Sequence, residues 1–171
     1  LFANRKIEEA ISNFKTAIKL NPNYTKAHFE LGIALFSDRK IEEAISHFKM
    51  AIKLNPIYTR AHFELGVALF NSSKIEEAIS HFERAITLNP NDTRAHFNIG
   101  IALLAGRKIE EAISHFKMAI KLKPDDALAH NNLGIALVAK GKNEEAISHY
   151  KIAIELKPDF AAVHYNLENA L

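Results

Sequence analysis

Nine histidines are the residues of this chain with the clearest potential for metal chemistry. They form two series that recur every 34 residues: His28, His62, His96, His130 and His164, then His47, His81, His115 and His149. Equivalent residues of neighbouring repeats should lie about 8–10 Å apart, whereas Zn–N bonds are about 2 Å long. We therefore expect a structural role for these side chains and no metal site, with a close pair such as His28 and His47 as the alternative.

Five pairs of adjacent glutamates could, by residue type, serve acid–base chemistry. They are Glu8-Glu9, Glu42-Glu43, Glu76-Glu77, Glu110-Glu111 and Glu144-Glu145. Adjacent residues on a helix point about 100° apart, and carboxylates in a first turn are stabilised by the helix dipole. No nucleophile motif or glycine-rich phosphate loop accompanies the pairs in the sequence. The sequence thus predicts a protein that is not an enzyme, with no catalytic residue and no cofactor.

Charge and composition argue against several classes of partner. Twenty-two Lys+Arg against 20 Asp+Glu leave a net charge of +2, which is too weak to predict binding to nucleic acid. No apolar stretch approaches the roughly 20 residues of a membrane-spanning helix, so no membrane insertion is expected. Because the chain opens with Leu1 rather than Met, a targeting segment could lie outside it. The compartment is undetermined, with the cytoplasm as the default expectation.

The elements that must position these residues repeat with the same period of 34. The period is carried by Pro22, Pro56, Pro90, Pro124 and Pro158, by Gly32, Gly66, Gly100 and Gly134, and by Phe14, Phe48, Phe82, Phe116 and Tyr150. With small residues at repeat positions 8 and 20 and Pro at position 32, the sequence resembles the tetratricopeptide repeat. We divide residues 1–171, as one array, into a truncated repeat 1–24, full repeats 25–58, 59–92, 93–126 and 127–160, and the start of a sixth at 161–171.

Each repeat is expected to form two antiparallel helices. The second helix has one apolar face, which consists of Ile41, Ala44, Ile45, Phe48, Ala51 and Ile52. This helix is expected to end at Asn55-Pro56. The first helix should run from about Lys26 to Ser37 with Thr25 or Tyr24 near its start, Thr being a suitable N-cap.

A glycine inside a helix is costly, so Gly32 indicates close approach of the second helix near Ala44. We accordingly expect Gly66→Leu to be destabilising and Gly66→Ala to be mild.

The resemblance implies an all-α solenoid, a right-handed superhelix whose first helices line a concave groove that binds peptides. The candidate contacts stand at four positions of the first helices. They are Lys26, Arg60 and Arg94 at position 2; Phe29, Phe63, Phe97 and Asn131 at position 5; Glu30, Glu64, Asn98, Asn132 and Asn166 at position 6; and Ile33, Val67, Ile101 and Ile135 at position 9. Burial of the position-5 aromatics between adjacent first helices is the competing interpretation for that row.

The expected function is that of a protein–protein interaction scaffold. Its ligand would be a protein or an extended peptide, whose backbone the asparagine row could pair with, since each carboxamide is both donor and acceptor. Two alternatives stay open at this point: a structural tile that forms a homo-oligomer by end-to-end contact, and a substrate-recruiting arm of a larger enzyme.

Overall fold

The computed structural model describes the backbone of residues 2–171 and the side chains of residues 6–171. Over that range the chain is all α-helical and contains no strand. The ten helices are α1 Phe2–Leu20, α2 Thr25–Ser37, α3 Ile41–Leu54, α4 Thr59–Asn71, α5 Ile75–Leu88, α6 Thr93–Ala105, α7 Ile109–Leu122, α8 Ala127–Ala139, α9 Asn143–Leu156 and α10 Ala161–Ala170. None of the helices described is long and apolar enough to cross a membrane.

The chain divides into two units, Leu1–Asn89 and Pro90–Leu171. In the first unit, α2 pairs with α3 and α4 with α5, while α1 packs on α2 and α3 on α4. In the second unit, α6 pairs with α7 and α8 with α9, while α7 packs on α8 and α9 on α10. Each helix pair corresponds to one full repeat. The expected pairing of helices within each repeat is therefore confirmed.

Each helix pair is held together by an aromatic ring packed on a glycine. A Cβ atom added to Gly32 would lie 2.6 Å from the ring of Phe48, and one added to Gly66 would lie 2.7 Å from the ring of Phe82. Because two carbon atoms cannot approach so closely, only glycine lets the helices meet at this distance. The sequence placed this contact near Ala44, whereas the structure places it four residues later, at the ring.

The turn from first to second helix requires a left-handed residue. The residues in this conformation are Arg39, Ser73, Arg107 and Gly141, whose φ values are 60°, 59°, 61° and 77° in that order. Glycine adopts this region without steric cost, whereas other residues pay for it. Among these four turns, only the one before α9 has a glycine in this conformation.

The first helices begin in two different ways. In the second unit the Asp92 side chain accepts hydrogen bonds from the amides of Arg94 and Ala95 at 3.0 and 3.2 Å. Asp126 caps α8 in the same manner. In the first unit Tyr24 and Tyr58 occupy the N-cap position without a side-chain cap. The expectation of a threonine cap was wrong, because Thr25 is already the first helical residue.

Candidate functional site

The first helices expose a recurring set of side chains, which we call the first-helix surface. It consists of the candidate ligand contacts at repeat positions 2, 6 and 9, all of which are exposed or half-buried. Its members are Lys26, Glu30, Ile33, Arg60, Glu64 and Val67 in the first unit, and Arg94, Asn98, Ile101, Asn132, Ile135 and Asn166 in the second. A cation, a polar or acidic side chain and an apolar side chain thus occur together on α2, α4 and α6, whereas α8 has Leu128 in place of the cation.

Three of the residues expected to contact a ligand are buried. Phe29 is 0% exposed because the ring of Tyr58 lies 4.9 Å away and the guanidinium of Arg60 lies 5.0 Å above its centre. Phe63 is 7% exposed. Asn131 is 6% exposed, and its Oδ1 accepts a hydrogen bond of 2.9 Å from Asn166. Position 5 therefore belongs mainly to the core of these helix pairs, and only Phe97 of the row is half-buried.

A cleft in the first unit opens beside the start of α2. Its volume is about 390 Å³, and it is lined by Asn13, Phe14, Ala17, Tyr24, Lys26, Ala27 and Glu30. The apolar part comes from Phe14 and Ala17 of α1, and the charges come from Lys26 and Glu30 of α2. Sequence reasoning identified the two charges but missed Phe14 and Tyr24, since both positions indicated structural roles.

A smaller cleft in the second unit surrounds Phe97. It has a volume of about 210 Å³ and is lined by Thr93, Arg94, Phe97, Asn98, Lys123, Asp126 and Leu128. Leu128 occupies the repeat position held by Arg60 and is 52% exposed. Whereas Arg60 covers Phe29, the cleft leaves Phe97 reachable. A volume of this size suits one side chain of a ligand, since pockets for whole small molecules start at about 300 Å³.

A third cleft, of about 160 Å³, lies between α8 and α10. It is lined by Ile135, Val138, Tyr150, Asn166, Asn169 and Ala170. Two residues that the sequence assigned to ligand contact, Ile135 and Asn166, are therefore brought together here. Tyr150, Asn169 and Ala170 were not anticipated.

The asparagine row is only partly engaged within the chain. The Nδ2 atom of Asn98 donates to the carbonyl of Arg94 at 2.8 Å, and that of Asn132 donates to Leu128 at 2.9 Å. Each carboxamide has a second N–H and an acceptor oxygen beyond this bond. Asn166 differs, because its amide satisfies the buried Asn131. Asn98 and Asn132 can therefore accept and donate hydrogen bonds to a ligand at the same time, whereas the amide of Asn166 already bonds to Asn131.

The histidines form hydrogen-bonded pairs within each repeat. The Nδ1 atoms of His28 and His47 lie 3.1 Å apart, and the Nε2 of His28 lies 3.0 Å from the carbonyl oxygen of Pro22. The same arrangement recurs in the next three repeats as His62 with His81, His96 with His115, and His130 with His149. In residues 6–171 no group of three or more histidine, cysteine or acidic side chains is placed to hold a metal ion.

Four of the five glutamate pairs lie in the first turns of second helices, as expected. The expectation was wrong for Glu8-Glu9, because α1 begins at Phe2 and has no acidic residue in its first turn. Glu42 contacts Lys74 at 3.0 Å and Ser72 at 3.0 Å, and these hydrogen bonds lower the pKa of its carboxyl group. Lys140 lowers the pKa of Glu110 in the same way. A carboxylate that is exposed and stabilised in its charged form is a poor general acid. These groups are suited to forming surface ion pairs between adjacent repeats.

Three family models match parts of this chain. A family model described as "Tetratricopeptide repeat" matches residues 38–93 and 63–127, another with that description matches 115–148, and one described as "TPR repeat" matches 1–38 and 136–171. None of the curated proteins compared matches this sequence significantly.

Solved structures with this fold include three informative neighbours. A crystal structure of MamA is 27% identical, with a TM-score of 0.86 and coverage of 91% of both chains. MamA 41-end from Desulfovibrio magneticus RS-1 is 25% identical, with a TM-score of 0.86 over 90% of this chain and 87% of that one. YrrB, described as "a TPR protein with an unusual peptide-binding site", is 25% identical, with a TM-score of 0.86 over 96% of this chain and 85% of its own.

Proposed function

Because this chain belongs to the tetratricopeptide repeat family, we propose that it is an interaction scaffold that holds an extended segment of another protein on its first-helix surface. The observation that carries the proposal is the pair of carboxamides at Asn98 and Asn132, each with hydrogen-bonding capacity beyond its bond to the helix. They stand one repeat apart, and Asn98 lines the cleft of Phe97 and Leu128. YrrB, which shares the fold, is described as having a peptide-binding site.

The spacing of the repeats suits an extended ligand. Packed helices lie about 8–10 Å apart, and an extended chain advances about 3.3 Å per residue. Asn98 and Asn132 would then meet backbone groups about three residues apart in the ligand. Hydrogen bonds to the backbone supply affinity for many sequences, while the clefts select side chains. The flanking Arg94 favours acidic groups in the ligand.

The clefts indicate which side chains the ligand would insert. The space around Phe97 and Leu128 would accept one apolar side chain of the ligand, with Arg94 and Lys123 at its rim. The cleft beside Lys26 and Tyr24 in the first unit also has an apolar floor, but Glu30 lines it together with the cation Lys26. An extended peptide that alternates apolar and acidic residues would therefore suit the cleft of Phe97, where the two cations Arg94 and Lys123 accompany one carboxylate, Asp126.

The test begins with selection of peptides from a displayed random library on the purified protein. A selected peptide is then titrated against Asn98→Ala/Asn132→Ala. We expect its affinity to fall at least about tenfold, which corresponds to about 1.4 kcal/mol. Thermal stability should change little, because both side chains lie at the surface. Asn166 is left intact, since its removal would strand the buried Asn131.

A matched control distinguishes loss of the site from a general effect of substitution. Ser114 and Ser148 are exposed, stand one repeat apart on second helices, and bond to their own helix like the asparagines. Ser114→Ala/Ser148→Ala should bind the selected peptide as the parent protein does. Equal affinity of the asparagine variant and the parent would rule out this surface as the binding site.

A further inference from the structure

Four identical histidine pairs are the feature of this molecule that ligand binding leaves unexplained. In every pair the first histidine is 5–6% exposed and the second is half-buried. The Nδ1–Nδ1 distances are 3.1, 3.1, 3.0 and 3.0 Å along the chain. The centres of the paired rings lie 5.2–5.4 Å apart. A contact of this length between two nitrogens requires that one of them carry a hydrogen and the other a lone pair.

The proline carbonyl decides which nitrogen carries the hydrogen. A carbonyl oxygen can only accept, so the Nε2 of His28 must donate to Pro22 across their 3.0 Å contact. The same holds for His62, His96 and His130, which lie 3.0–3.1 Å from the carbonyls of Pro56, Pro90 and Pro124. A neutral imidazole has a single N–H, so the Nδ1 of each first histidine is an acceptor. The second histidine must then donate from its Nδ1.

This arrangement accommodates one extra proton in a pair but not two. A proton added to the Nε2 of His47 leaves its Nδ1–H donating to His28, so the bond survives. With both rings protonated, two N–H groups would face each other across 3.1 Å, next to a second positive charge. The hydrogen bond would be lost and replaced by repulsion. In the unfolded chain no such conflict exists, and both rings are free to take up protons.

We propose that the four histidine pairs act together as a proton-sensitive device that stabilises the helix pairs at neutral pH and weakens them as the pH falls. Unfolding in mild acid takes up at least one proton per pair that the native state excludes. A state that binds more protons is favoured as the pH falls. The stabilisation is therefore complete above the ordinary histidine pKa of about 6.5 and is lost progressively below it.

The environment of the second histidines also favours their neutral forms in the folded protein. Burial, and next the facing histidine of the first helix, hold the pKa values of His47, His81, His115 and His149 below the usual range. Lysines of the neighbouring second helix add to this effect at three of them: Lys15 at His47, Lys49 at His81 and Lys117 at His149. A glutamate one turn earlier on the same helix opposes it in each case: Glu43, Glu77, Glu111 and Glu145.

One first histidine is shifted as well. Burial lowers the pKa of His62, the bond to Pro56 opposes this shift, and Arg84 of α5 adds to it. At the four second histidines the charge contributions are mixed in sign, because a glutamate opposes the facing histidine at each of them. The obstacle to protonation that all four pairs share is the geometric conflict between two Nδ1–H groups.

The decisive experiment measures unfolding by urea between pH 7.5 and 5.5, where the exposed carboxylates stay charged. Each excluded proton changes the ratio of folded to unfolded protein by about tenfold per pH unit. For the parent protein we expect that ratio to fall at least about 100-fold over this range. His47→Asn/His81→Asn/His115→Asn/His149→Asn should lose less than about tenfold. An asparagine amide can donate to a neutral first histidine or accept from a protonated one, so the conflict disappears.

His164 supplies the matched control, because it contacts Pro158 at 2.9 Å but has no second ring facing it among the described residues. His164→Asn should retain the steep pH dependence of the parent. If the quadruple variant does not fold, nitrogen NMR of the parent protein decides, since Nδ1 and Nε2 signals report the proton on each ring. Protonation of both rings of a pair in the folded protein at pH 5.5 would overturn the proposal. A parent protein with pH-independent stability would do the same.

Discussion

Single contacts decide how these helices meet, and the contact of Gly66 with Phe82 is one of four such contacts between a glycine and a ring. A methyl group at Gly66 would lie 2.7 Å from the ring of Phe82, which is itself only 1% exposed. A buried ring has no free direction in which to yield. The sequence-based expectation that alanine is tolerated at this position does not take that ring into account.

We therefore expect Gly66→Ala to destabilise the protein, because over-packing usually costs about 1–3 kcal/mol. The gain of about 0.5–1 kcal/mol from replacing a helical glycine offsets only part of that cost. Chemical denaturation measures the effect. Combining Gly66→Ala with Phe82→Leu should recover part of the loss relative to the sum of the single changes, because leucine leaves room for the new methyl group. Additive effects would show that the ring is not what excludes the methyl group.

The first helices differ in whether a side chain caps their start: α6 and α8 are capped, whereas α2, α4 and α10 are not. Asp92 and Asp126 each accept hydrogen bonds from two backbone amides at the start of α6 and α8. At the start of α4 the corresponding residue is Tyr58, which packs against Phe29 instead of capping the helix. One position of the repeat thus serves two different stabilising roles.

Asp126→Ala should destabilise the second unit by about 1 kcal/mol, which is typical of the loss of an aspartate N-cap. The adjacent Asp125 is an appropriate control, because it is exposed and does not cap the helix. Asp125→Ala should shift the urea unfolding midpoint by much less. Equal effects of the two substitutions would contradict the importance of the cap.

Across the whole molecule, positive and negative charges nearly cancel. The net charge of +2 is too small to attract a ligand over long distances. Selection by charge must therefore arise from particular side chains near the ligand, and Arg94 at the rim of the Phe97 cleft is one of them. Ion pairs between repeats, such as Lys117 with Glu145 at 3.0 Å, are exposed and contribute little to stability.

Arg94→Glu should weaken binding of a selected acidic peptide at least about tenfold, because it replaces an attractive charge by a repulsive one. Lys151→Glu makes the same charge change on the exposed side of α9 and serves as the control. Titration at low and at high salt should show a difference between the two variants that shrinks as salt increases. If both substitutions weaken binding equally, net charge rather than the first-helix surface governs recognition.

The all-α solenoid of paired helices could be predicted from the amino-acid sequence. A period of 34 residues, the apolar face of each second helix and the proline stops are local features, and local features specify helices and their turns. The histidines could likewise be assigned a structural role, since each followed the repeat.

What the side chain at each repeated position does depends on its neighbours in the folded protein. Phe29 and Phe97 occupy the same position, yet Tyr58 and Arg60 bury the first while the cleft beside Leu128 leaves the second reachable. The pairing of His28 with His47 depends on two helices bringing residues 19 apart in sequence to 3.1 Å. Burial and hydrogen bonding depend on neighbours from other helices, and a pattern within one helix does not contain those neighbours.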